Sequence, residues 1–258
     1  MRGVLLGCLL LSTPLACADW GRNATYTPGW QRTAWAAHEA LLHPMTWLPA
    51  FAGVAIHISG HDAQWTEELH SDAPLFGNTR RANQRSDDFR HATDVLWGLS
   101  IVFVDTGEDA RLRHTVHGVL VQTAAIGTTR LTSNALKRAI HRDEPGATPG
   151  EADGDAFPSN HATGPFAQAA LVRENMQQTR LARPLATLYT GAAYVAASGA
   201  AWGRIEAGGH YVSDQLLGAA LGNFVATFIN NAFMGGGDHL RIGTGNGRGV
   251  LAHWTLRF

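Results

Sequence analysis

The chain has 258 residues, 45% hydrophobic and only 16% charged, with 20 Lys and Arg against 21 Asp and Glu for a net charge of -1. Such a length allows one large domain or two small ones, and the apolar fraction is ample for a core. The near-neutral balance offers no basic face to nucleic acid, and two cysteines are too few for a disulfide framework.

The first eighteen residues read as a secretory signal: Arg2, the apolar run Val4 to Leu11, and Ala16-Cys17-Ala18 as the cleavage site before Asp19. Cleavage removes both cysteines along with Arg2, taking the net charge to -2. A periplasmic or secreted chain is expected, soluble or only peripherally attached to a membrane. A membrane-associated chain is the alternative, because Pro184 to Gly203 and Gln215 to Gly237 are uncharged and long enough to span a bilayer.

Asn23 to Gln31 reads as a loop, and Trp35 to Leu42 as a short helix. His38-Glu39 and His43 fall one residue outside the zinc-protease spacing, and Gly60 breaks the helix that would align His57 with His61, so no metal is expected. Trp47 to Ile58 is apolar, and Asn78 to Asp94 is a charged connector or helix face. Thr93 to Val104 and His114 to Ile126 are apolar segments of helix length, and a further helix is expected from Thr132 to about His141. The loop Arg142 to Phe157 has no hydrophobic period, which in a compact domain points to function or disorder. Helical stretches follow from Pro158 to about Met176, Ala186 to Trp202, and Val212 to Met234. In the tail, Trp254, Leu256 and Phe258 alternate with polar residues, as in a strand. The expected organisation is a signal peptide over 1–18, a helical domain over 19–236 and a tail over 237–258.

Three islands carry chemistry suited to phosphate. Lys137 supplies a cation. Ser159 and Asn160 open a helix whose first amides can face an anion, with His161 next to them. Arg204, His210 and Asp214 follow in Gly203 to Asp214, GRIEAGGHYVSD. A helix starting near His210 would put His210 and Asp214 one turn apart on one face, where the carboxylate fixes the imidazole tautomer. Arg204 offers a planar fork to an oxyanion.

In this order and spacing the islands resemble the type 2 phosphatidic acid phosphatase (PAP2) and vanadium haloperoxidase superfamily, whose pattern is K-x6-R-P, P-S-G-H and S-R-x5-H-x3-D. The matches are Lys137 with Pro145, then Pro158-Ser159-Asn160-His161, then Arg204, His210 and Asp214. Glu144, Asn160 and Gly203 stand where the pattern has Arg, Gly and Ser. The resemblance implies an all-α helical bundle of the PAP2/haloperoxidase type, with the short strand-like tail appended. It implies a phosphoric monoester hydrolase, an acid phosphatase or lipid phosphate phosphatase, working through a phosphohistidine on His210. Asp214 would orient His210, and His161 would act as acid and then base. Lys137, Ser159, the Asn160 amide and Arg204 would hold the phosphate. Glu144 is expected to turn away from the anion, with Arg142 or Arg138 in its place. The partners are a phosphorylated small molecule or a lipid head group; no cofactor is expected, and vanadate should inhibit. Two other readings stay open: a phosphate- or lipid-binding protein impaired by Glu144, and a vanadium-dependent haloperoxidase.

Overall fold

The computed structural model describes residues 20–107, 110–147, 156–235, 240–244 and 250–254. The expected signal peptide lies outside the described residues, as do Leu256 and Phe258 of the tail. The helices are α1 (Trp30–Leu42), α2 (Pro44–Ser59), α3 (Asp62–Asp72), α4 (Thr79–Ser100), α5 (Arg111–Ile140), α6 (Asn160–Gln177), α7 (Arg183–Glu206) and α8 (Val212–Asn230). A hairpin of β1 (Leu240–Thr244) and β2 (Val250–Trp254) follows, antiparallel, with Leu240 opposite Trp254. The fold is the expected helical bundle with a short strand-bearing tail.

Helix α6 is the axis of the bundle, with α4, α5, α7 and α8 packed around it. Its residues Ala167, Ala169, Ala170, Leu171 and Val172 are all fully buried, so the helix has no solvated face along its middle. Small side chains on the neighbours, Ala193, Ala197 and Ala219, let the helix backbones approach closely. Buried amides then pin the helices to one another. The Asn175 carbonyl on α6 accepts from Trp20 Nε1 (2.9 Å) and Gln122 Nε2 (2.6 Å), while its amide donates to Ser100 Oγ (2.7 Å). Each such group is satisfied, so burial carries no unpaired penalty there.

Three elements differ from the sequence reading. The apolar run from His114 and the segment from Thr132 belong to one 30-residue helix, α5. Gly127 and the threonines after it weaken intrinsic helix propensity, but Thr129 is buried and returns its hydroxyl to the Ala125 carbonyl (2.8 Å). Helix α3 had no apolar period to announce it. Helix α8 begins at Val212 rather than near His210, and this changes the site.

Candidate active site

The ends of α5, α6 and α7, together with the two loops Arg142–Ala147 and Ala207–Tyr211, enclose a cleft of about 360 Å³. Asn134, Lys137, Arg138, Glu144, Asn160, His161, Arg204 and His210 line it. Five of the expected residues (Lys137, Asn160, His161, Arg204 and His210) therefore meet at one place, although 73 residues separate the first from the last.

His210 is 4% exposed, and its Nδ1 lies 2.8 Å from the Ala156 carbonyl. A carbonyl only accepts, so Nδ1 carries the proton and Nε2 keeps a free lone pair. Burial holds the imidazole well below its ordinary range, at about 3, with Arg204 and Lys137 pushing the same way. The ring is thus neutral at ordinary pH, with one nitrogen available for attack.

Asp214 does not orient this ring. Because α8 starts two residues after His210, Asp214 lies in the helix's first turn and accepts from the Tyr211 amide (3.0 Å). Its other oxygen takes a hydrogen bond from Arg142 Nη1 (2.5 Å). The orienting partner is the Ala156 carbonyl, and Asp214 fixes the backbone of the residue that follows His210.

Arg142 is likewise not placed as a phosphate ligand. Its guanidinium donates to Asp214, to Ser213 Oγ (2.8 Å) and to Asp62 Oδ2 (2.8 Å), and it stacks 4.1 Å over the Tyr211 ring. Two buried carboxylates drew it away from the cleft. Burial pushes the Asp214 carboxyl up to about 7, against the pull of Arg142 and of the Tyr211 amide. The Arg142 carbonyl also accepts from the Ala156 amide (2.9 Å), so Arg142 supports the peptide that holds His210. Arg138, not Arg142, lines the cleft. Glu144, expected to turn away, lines it as well.

Ser159 is fully buried, and its Oγ has no hydrogen-bond partner among the described residues. Arg204 Nε is also buried with no partner among the described residues, while Nη1 donates to Asn83 Oδ1. Orphaned buried donors of this kind fit an oxyanion. A Cβ on Gly209 would lie 2.4 Å from Arg204 Nη2, so a larger residue there would push the guanidinium aside. A Cβ on Gly203 would lie 2.7 Å from the Ala82 carbonyl, which explains why the motif's serine is glycine here. Asn160 ties α6 to α5 through Ser133 Oγ (2.6 Å) and Asn134 (3.3 Å), leaving its backbone amide at the helix N-terminus.

His161 Nε2 sits 3.1 Å from Asp87 Oδ1. The carboxylate accepts, so Nδ1 is the nitrogen that can exchange a proton. Desolvation lowers the His161 pKa, opposed by the bond to Asp87 and reinforced by Arg204 and Arg90. The sequence reading missed Asp87 and Asn83. Both lie on α4, one turn apart, and Arg90 and Asp94 continue the polar stripe at helical spacing. That stripe was the available signal.

The helical bundle thus brings two histidines and several cations to one cleft whose donors suit an oxyanion. The PAP2 superfamily model matches residues 118–235. The chain is similar to a transmembrane PAP2-type phosphatidylglycerolphosphate phosphatase from Bacillus subtilis, with a TM-score of 0.51 and 17% identity, over 72% of this chain and 92% of that one. At that identity the likeness is one of fold. No curated protein matches the chain in sequence.

Proposed function

We propose that the chain is a phosphatase that hydrolyses phosphomonoesters through a phosphohistidine on His210. The neutral imidazole of His210, with its Nδ1 proton given to Ala156 and its Nε2 open to a cleft lined by Lys137, Arg138 and Arg204, carries this reading. Nε2 attacks phosphorus as the ester oxygen leaves with a proton from His161. Water then attacks the phosphohistidine, His161 takes its proton, and the P–N bond breaks to release phosphate. Phosphoryl transfer asks for positioned donors around the equatorial oxygens more than for covalent machinery, and Lys137, Ser159, the Asn160 amide and Arg204 supply them, with Arg138 added. Release of inorganic phosphate from p-nitrophenyl phosphate, inhibited competitively by vanadate, tests the reading. Vanadate mimics the trigonal-bipyramidal transition state and should bind tighter than phosphate. Halide oxidation with vanadate in place of phosphate release would favour the haloperoxidase reading instead.

The pH dependence follows from the two histidines. Attack needs His210 deprotonated, and departure of the leaving group needs His161 protonated. His210 loses its proton at about 3, while His161 titrates below its ordinary range. The expected kcat/KM profile is a bell on the acid side of neutrality, rising through about pH 3 and falling before the usual histidine value of about 6.5. A profile that keeps rising to alkaline pH would contradict these roles.

The substrate is a soluble organic phosphate or a lipid phosphate reached from a membrane face, and we place the mature chain in the periplasm. Helix α2 has no charged residue, and its outward side exposes Trp47, Phe51, Val54 and Ile58 at helical spacing, which supports peripheral contact with lipid. Val212–Gly235 is apolar and long enough to cross a membrane, but 61% of that stretch is buried inside the bundle, as in a core helix. Extraction from membranes by detergent alone would contradict peripheral attachment.

A further inference from the structure

Glu144 occupies the rim of a cleft otherwise dominated by cations. Lys137, Arg138 and Arg204 line the same space, yet among the described residues no ion pair engages the Glu144 carboxylate. Its backbone is held rather than loose. The Glu144 carbonyl accepts from the Ala147 amide (3.2 Å), with Pro145 and Gly146 between them and Gly146 at φ 73°. That is the sequence and geometry of a type II turn, in which proline presets one dihedral and glycine takes the positive one. A carboxylate fixed at this place opposes the binding of a phosphate dianion at the cleft floor. Its charge is useful only if the ligand brings a cation to the rim while its phosphate reaches His210.

We propose that Glu144 selects phosphomonoesters bearing a cationic group close to the phosphate, with aminoalkyl phosphates as the simplest class. This rests on the phosphomonoester reading above. The phosphate lies among Arg204, Lys137 and Arg138, and the ammonium lies against Glu144. An ester with a neutral tail gains nothing from Glu144 and suffers its repulsion. Among the described lining residues three cations stand against one carboxylate, so phosphate binding survives.

Binding and turnover separate this inference from the reading it rests on. Calorimetry would compare 2-aminoethylphosphonate with propylphosphonate, a matched pair that cannot be hydrolysed, on the wild type and on Glu144→Gln. Rates of phosphate release would compare 2-aminoethyl phosphate with propyl phosphate, all in EDTA. The wild type should prefer the amino ligand by about 5–10-fold, the scale of a charge-assisted contact at a partly solvated rim. Glu144→Gln should erase that preference, weakening the amino ligand and strengthening the propyl one. An unchanged preference in the variant, or an equal change for both ligands, would overturn the assignment. So would a preference that appears only when a divalent cation is added. Binding discrimination without turnover of either ester would remove the hydrolase reading and leave Glu144 in its role; turnover of both without discrimination would do the reverse.

Discussion

Purified His210→Ala should lose turnover by at least about 10⁴-fold, the scale seen when an enzyme's nucleophile is removed from a working unit. The remaining cleft still holds Lys137, Arg138 and Arg204, so phosphate and vanadate should still bind and still raise the melting temperature. The substitution leaves the Ala156 carbonyl without its ring partner, a loss of about 1–3 kcal/mol that a bundle of this size should tolerate. Loss of turnover with retained anion binding separates a missing nucleophile from a collapsed site. Wild-type rates in His210→Ala would end the mechanism.

Arg142→Ala should damage stability more than any single change in the cleft. It removes the counterion shared by Asp62 and Asp214, whose side chains are 7% and 0% exposed, while Arg142 is itself only 21% exposed. Breaking a buried pair costs about 3–5 kcal/mol, because the remaining charge loses its counterion while staying out of water. Denaturant unfolding checks this directly. The pH dependence has a definite sign. Burial raises the Asp214 pKa to about 7 in the folded chain, so the folded state holds that proton more tightly than the unfolded chain does. The resulting stability is present below the ordinary carboxylate value of about 3.9 and is lost as pH rises towards about 7. Without Arg142 the folded-state pKa rises further and the loss extends to higher pH, so the deficit of Arg142→Ala should stay level in the acid range and widen as pH rises past about 7. Adding Asp214→Asn to Arg142→Ala should recover part of it. An Arg142→Ala protein of wild-type stability whose anion affinity alone falls would return Arg142 to the phosphate site.

The residues of the cleft were legible because each island announces itself by local chemistry. Ser159 and Asn160 open a helix, and Arg204 and His210 flank a glycine pair. The PAP2-type fold was legible from the same motifs with the apolar helix-length runs. The links between the islands were not. Whether Asp214 faces His210 depends on where α8 starts, and Tyr211 is not a residue that marks a helix start. The choice between Arg138 and Arg142 was decided by Asp62, on a helix without apolar periodicity and 80 residues upstream of Arg142. Asp87 and Asn83 reach the site from a helix that by composition looks merely solvated. Tertiary pairing of this kind leaves its trace on both partners only after the chain has folded.

The proposed mechanism turns on a covalent phosphoryl group on His210. Rapid acid-free quenching during turnover of a phosphomonoester, with peptide mapping by mass spectrometry, would test it most directly. The expected result is one phosphoryl group on the peptide containing His210, labile to acid and stable to alkali, absent from His210→Ala and lost within a turnover when substrate is chased with water. Steady hydrolysis with an unmodified His210 at every quench time, together with inversion of configuration at a chiral phosphate, would contradict it, since two in-line displacements must retain configuration.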